Sequence, residues 1–209
     1  PAQSQRMFEE IRHLRERHDK PVVAWIGDIG ASGAYYIAAA SDQIYAAPSS
    51  LVGSIGVISQ SFGFQDAMAN IGIERRVVTS GESKSFLDPF MPMQQEDREF
   101  WEGVLGDTHA QFVRDVVDGR GDRLDGQDLE YLFSGLVWTA NQGVALGLVD
   151  GIVSFDALSR QLFDAEEASV RDYTPRRNPF ENLGQGIMPF LTQLVSGSHA
   201  YSPARMQAF

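Results

Sequence analysis

The chain contains no cysteine. That excludes a disulfide scaffold, thiol catalysis and cysteine-held metal, and it leaves the redox compartment open. No apolar run reaches the ~18–20 residues of a membrane span, and no secretory leader is visible. No group of His, Asp or Glu falls at metal-ligand spacing, so neither a metal nor another cofactor is expected. Positive charge is short: the formal net charge is −11, which argues against nucleic acid as a partner. Histidine is scarce, with only His13, His18, His109 and His199. No repeat at solenoid spacing is present. The opening Pro1–Gln5 lacks an initiator methionine, which predicts a piece of a longer protein with an anchor upstream.

What is present suffices for one sizeable α/β domain, or a domain plus a tail: 209 residues, 43% of them hydrophobic and 11% aromatic. The organising stretch is Ile26–Ser41. An apolar run, Val22–Ile26, leads into it, glycines follow at Gly27, Gly30 and Gly33, and Tyr35–Ala40 suits a close-packed helix. The pattern predicts strand, tight turn and helix, with Ser32 at the corner. Glycine suits such a corner because it tolerates positive φ and lets backbones approach closely. The Gly33 N–H would stand unpaired at the helix start, where it can stabilise a developing oxyanion. The same residues also read as a plain β–α turn with an N-capping serine.

Taken in order, apolar spacing predicts an amphipathic helix through Met7, Phe8, Ile11 and Leu14, ending near His18. Strands are expected at Val22–Ile26, Gln43–Ala47, Val52–Ser59, Arg75–Thr79 and Ile152–Ser154. Helices are expected at Phe64–Ile71, about Gln94–Val117, Asp125–Leu132, Thr139–Leu146 and Phe155–Phe163. On the long helix, Phe100, Trp101, Val104, Leu105, Phe112, Val113 and Val116 mark the side to be buried, and His109 falls on the more polar side. Ser80–Met93 reads as a loop with two prolines. Strands alternating with helices argue for α/β with a mostly parallel sheet. Residues 166–209 read as a tail, either packed on a neighbouring subunit or disordered, in which the apolar run 187–195 suits a terminal helix.

Three stretches carry a resemblance. They are Ala31-Ser32-Gly33-Ala34-Tyr35-Tyr36, Gly53-Ser54-Ile55-Gly56-Val57 and Ser80-Gly81-Glu82-Ser83-Lys84-Ser85. With Gly147-Leu148-Val149-Asp150 they resemble, in order and spacing, the signal peptide peptidase A (protease IV) family, over roughly residues 6–165. The resemblance implies a fold like the Clp protease subunit and crotonase: a spiral of β-β-α units, its N-terminal part missing here, over 1–165, followed by the 166–209 tail. It implies a Ser–Lys dyad in which Ser32 is the nucleophile and Lys84 the general base. Ser54 would hydrogen-bond the lysine amine, and Gly33 would supply one oxyanion N–H. The family's other oxyanion donor comes from a Gly-Gly turn upstream of the present start. The resemblance further implies peptide substrates, signal peptides among them, and small or apolar side chains at the cut. It implies a homo-oligomer, in some members with serine and lysine from adjacent subunits. It places the protein in the bacterial membrane, with the active domain outside the cytoplasm.

The chemistry sets conditions on those residues. A serine hydroxyl needs a base to attack at neutral pH. A free lysine, with a pKa of about 10.4, is protonated there and becomes a base only when desolvated. Phe86, Leu87 and Phe90 are the apolar residues nearest Lys84 in sequence, and Glu82 and Asp88 are the carboxylates that have to point away from it. Otherwise Lys84 is a solvated loop lysine and Ser54 a turn serine. In Clp-type proteases a histidine follows the nucleophile after about a helix and a turn; none lies between Ser32 and His109, which favours lysine. Asp28 and Asp42 read as turn and capping residues. Phe62, Phe64, Phe86 and Phe90 suit either an apolar substrate groove or the core. Three alternatives stand beside the signal peptide peptidase reading. They are a stomatin-cleaving or phage head-maturation Ser–Lys peptidase, a crotonase-type enzyme acting on coenzyme A thioesters, and a non-catalytic assembly subunit.

Overall fold

A computed structural model describes residues 1–163 together with Arg171 and Tyr173. The chain divides into two units, Pro1–Glu166 and Glu167–Phe209. The expectations for the tail and its 187–195 helix fall outside the described residues.

The first unit opens with α1 (Ala2–His18), which ends where Asp19 turns left-handed and donates its N–H to Arg15 O. Its inward side buries Phe8, whose ring meets the edge of Tyr36 at 5.7 Å. Two short strands follow, β1 (Val23–Ile26) and β2 (Ile29–Ala31), and then helix α2 (Gly33–Ala38). The next pair is β3 (Gln43–Ala46) and β4 (Leu51–Gly53), followed after a connection by α3 (Gln65–Asn70). The chain continues through α4 (Gln95–Arg120), a 3-10 turn at Gly121–Leu124, α5 (Leu129–Leu132), β5 (Val137–Thr139), α6 (Ala140–Ala145), β6 (Gly151–Ile152) and α7 (Phe155–Phe163).

The strands sort into two three-stranded sheets. One has the order β1-β3-β6, all parallel; the other has β2-β4 parallel and β4-β5 antiparallel. The first strand of each early pair enters one sheet and the second enters the other, and a helix follows. These are the β-β-α units expected of a Clp/crotonase-like α/β chain. Tyr35, Ile44, Val52, Ile55, Val116 and Leu148 form the dry centre of the unit. Burying each such side chain contributes about 1.5–3 kcal/mol relative to leaving it in water.

Among the described residues one charged side chain is sealed into that core. Arg120 is fully buried, forks onto both oxygens of Asp150 and donates a third bond to Gly147 O. Asp150 also accepts from the Ile44 N–H and from Arg123. Burial alone would raise the Asp150 carboxyl, but the bonds from Arg120 and Ile44 and the two guanidinium charges hold it below the usual carboxylate range. The Gly147–Asp150 motif is thus a clamp that ties β3, β6 and the end of α4 together.

Several elements differ from expectation for local reasons. Strand β4 stops at Gly53 rather than running to Ser59, because Gly53 and Ser54 both take positive φ, 91° and 50°, which breaks a strand. Residues 75–79 form no strand: Val78 is 99% exposed and has no neighbouring strand to pair with. The helix expected over Asp125–Leu132 shrinks to α5, since Gly126 takes φ +76° and Asp128 caps the helix by accepting from the Tyr131 N–H. In α4 the C-terminal half buries Phe112 and Val116 as expected, but Phe100 is 65% exposed. His109 is half-buried rather than on a polar face. Its Nε2 lies 3.2 Å from Ile55 O. Strands β2 and β5, three residues each, carry no periodic signal that three positions can register.

Candidate active site

Parallel pairing of β2 with β4 sets Ala31 opposite Gly53. The next residues in register are Ser32 and Ser54. Both leave their strands in left-handed backbone, with φ of 53° and 50°. For residues other than glycine this costs about 1–3 kcal/mol each, and it persists only where neighbours enforce it. At Ser32 they do. Its N–H donates to Gly53 O at 2.8 Å, and its own carbonyl accepts the Tyr36 N–H at 2.9 Å to open α2. With ψ at −123°, the bend turns the chain from strand to helix and leaves Ser32 exposed. Among the described residues the Gly33 N–H has no hydrogen-bond partner, as the first turn of a helix dictates. A side chain at Gly33 would come within 2.6 Å of Ser4 Oγ.

Ser54 is half-buried and fixed by its N–H donating to Leu136 O at 2.7 Å. The floor beneath it requires glycine. A Cβ at Gly53 would stand 2.6 Å from the Trp138 ring, and a Cβ at Gly56 would stand 2.9 Å from the Cα of Gly135. Beside Ser32 opens a cavity of about 240 Å³. Gly33, Tyr36, Gly56, Val57 and Phe112 line it, and the Tyr36 and Phe112 rings stack at 4.4 Å to form one wall. Tyr36 donates its hydroxyl to Asp115. Burial first, and that carboxylate second, push the phenol above its usual range and keep it neutral.

Ser32 and Gly33 therefore line one cavity, and the Ser32 N–H bond to Gly53 O sets their corner beside the backbone that leads into Ser54, which does not itself line that cavity. Lys84 does not join them. It sits in the turn-rich segment 80–93 with its N–H on Gly81 O, exposed, and it does not line the Ser32 cavity. Its side chain forms no hydrogen bond or ion pair with the described residues. Asp88 points elsewhere, paired with Arg75 and accepting from the Phe90 N–H. The apolar cover expected over Lys84 is also directed elsewhere: Phe86 packs at 5.6 Å against both Phe100 and Trp101 of α4. Phe62, Phe64 and Phe90 form a separate cluster, with centroids 6.2 and 5.5 Å apart, and none of them lines the Ser32 cavity. The wall of the Ser32 cavity is built instead by Phe112 and Tyr36. Asp42 caps no helix: it accepts the Val22 N–H ahead of β1 and pairs with Arg15 of α1. No group of three or more metal-ligating side chains occurs among the described residues.

Fold and corner together define an α/β protein that lifts a serine out of its strand on a forced bend beside an unpaired backbone N–H. The chain belongs to peptidase family S49, whose family model matches residues 15–169. It is 42% identical over 178 residues to a Brucella abortus protein named Na(+)/H(+) antiporter NhaA, covering 85% of this chain and 24% of that one. It is 34% identical over 142 residues to a putative signal peptide peptidase SppA of Enterococcus faecium, covering 67% of this chain and 40% of that one. Among solved structures, an enoyl-CoA hydratase/isomerase from Marinobacter aquaeolei aligns with a TM-score of 0.42 at 16% identity, over 92% of this chain and 60% of that one. The chain thus spans less than half the length of these two curated relatives.

Proposed function

We propose that the protein is a serine endopeptidase that works by a Ser–Lys dyad through an acyl-enzyme. The observation that carries this reading is the forced bend at Ser32, with the Gly33 N–H free on one side and Ser54 in register on the other. Ser32 Oγ attacks the substrate carbonyl carbon while its proton passes to the Lys84 amine. The Gly33 N–H receives the oxyanion. Lys84 returns the proton to the leaving amine, and water then cleaves the ester on Ser32. Ser54 accepts or donates a hydrogen bond at the lysine amine and so aims it.

Lys84 has to lose water to act in this way, and in the single chain it is exposed. We place the pairing in a homo-oligomer, in which a neighbouring copy covers the segment around residue 84 or contributes its own lysine. Exposed apolar side chains support assembly: Phe62 is 78% exposed and Ile58 74%. The cavity wall of Val57, Tyr36 and Phe112 suits a small or apolar substrate side chain. That fits signal peptides or other membrane-associated peptides, with the domain held at the extracytoplasmic face of a bacterial membrane. Among the described residues no helix is long and apolar enough to cross a membrane.

The test is turnover of an apolar fluorogenic peptide by the full-length protein and by its Ser32→Ala and Lys84→Ala variants. Both variants lose turnover if the dyad operates. Undiminished turnover in Lys84→Ala rejects lysine as the base, and undiminished turnover in Ser32→Ala rejects Ser32 as the nucleophile and with it the dyad.

A further inference from the structure

We infer that His109 is a positioning residue for the wall of the Ser32 cavity, a role that rests on the peptidase reading above. His109 Nε2 lies 3.2 Å from Ile55 O. A carbonyl oxygen only accepts, so the ring carries its hydrogen on Nε2 and donates it. Ile55 stands between Ser54, left-handed at the end of β4, and Gly56-Val57, which line the cavity. Its side chain is fully buried, so the side chain and the carbonyl are each tied down.

Little else holds this wall. Among the described residues, the backbone groups of Gly56, Val57 and Ile58 make no hydrogen bonds. On the far side there is only the close approach of Gly135 to Gly56. From α4, Thr108 also reaches the cavity, but its hydroxyl donates back to Val104 O within the helix. His109 is therefore the polar tie between the long helix and the strip that faces substrate. The bend at Ser32 is held separately, through Gly53 O and the Tyr36 N–H. Releasing His109 loosens the wall and leaves the nucleophile in place.

The test uses the full-length protein with two probes: an apolar fluorogenic peptide and a small fluorophosphonate that reacts at Ser32 without filling the cavity. His109→Ala should raise KM about tenfold while kcat and the labelling rate stay within about twofold, because a buried carbonyl loses its donor but the reacting groups do not move. His109→Gln, which offers an amide N–H at similar reach, should recover most of the lost affinity. Unchanged KM in His109→Ala overturns the inference. So does a fall in kcat at constant KM, and so does a His109→Gln variant as impaired as His109→Ala. Failure of the underlying reading is seen separately, as turnover that survives Ser32→Ala.

Discussion

Ser32 and Ser54 occupy neighbouring register positions at the ends of two paired parallel strands, and both are forced into positive φ, 53° and 50°. One backbone contact links them: the Ser32 N–H donates to the carbonyl of Gly53, the residue before Ser54. The strain at each is sustained by the packed sheet beneath them.

That strain is measurable at Ser32. Replacing it with glycine, which adopts positive φ freely, should raise unfolding stability by about 1 kcal/mol. Ser32→Ala keeps the Cβ and should bring no such gain. Chemical denaturation of the two variants checks this. Equal stabilities for Ser32→Gly and the parent would show that the bend is not strained.

Gly53 is the joint between the two serines. It takes φ +91°, and a Cβ there would collide with the Trp138 ring and crowd Leu136 O. Gly53→Ala should cost about 2 kcal/mol or more in stability. It should also slow fluorophosphonate labelling of Ser32 in the fraction that remains folded. A folded Gly53→Ala protein labelled at the parental rate would contradict the link between β4 and the corner.

The Arg120–Asp150 clamp predicts an acid response. Asp150 is held below its unfolded value, so its contribution to stability is full above about pH 4 and is lost as pH falls through the folded value. Thermal melting followed from neutral to acid pH should fall below about pH 4 in the parent and fall less steeply in Asp150→Asn. At neutral pH, Asp150→Ala strands the buried Arg120 charge and should cost about 3–5 kcal/mol. A parallel pH dependence in parent and Asp150→Asn would contradict the assigned role.

Much of this was legible in the sequence where signals are local. The apolar stripe of α1, the strand β1, the strand-to-helix corner at Ser32, the C-terminal half of α4 and the helix at Phe155–Phe163 follow from spacing, glycine placement and capping residues, though the strand that enters the corner is β2 rather than β1. Three-residue strands such as β2 and β5 are too short to show a period, and only pairing reveals them. Val77 and Val78 have strand propensity but no partner strand, and propensity without pairing makes no strand. At the site, the motif order pointed to Ser32, Gly33 and Ser54. Phe112, Tyr36 and His109 were hidden because a wall and a tie are made by long-range packing of α4 and α2 against the 54–58 strip. The glycine spacing of Gly53-Ser54-Ile55-Gly56 was the one available hint of close backbone contact there. Lys84 is exposed within one chain because Phe86, the apolar cover nearest it in sequence, packs on Phe100 and Trp101 of α4 instead.

The central claim is that Ser32 is acylated with Lys84 as its base, and one measurement addresses it directly. The full-length, assembled protein is treated with a fluorophosphonate, the adduct is located by peptide mass spectrometry, and the labelling rate is compared in parent, Lys84→Ala and Ser54→Ala. The account predicts a single adduct on Ser32, a rate lowered about 100-fold or more in Lys84→Ala, and a smaller loss in Ser54→Ala. An adduct on another serine, or parental labelling of Ser32 in Lys84→Ala, would contradict it.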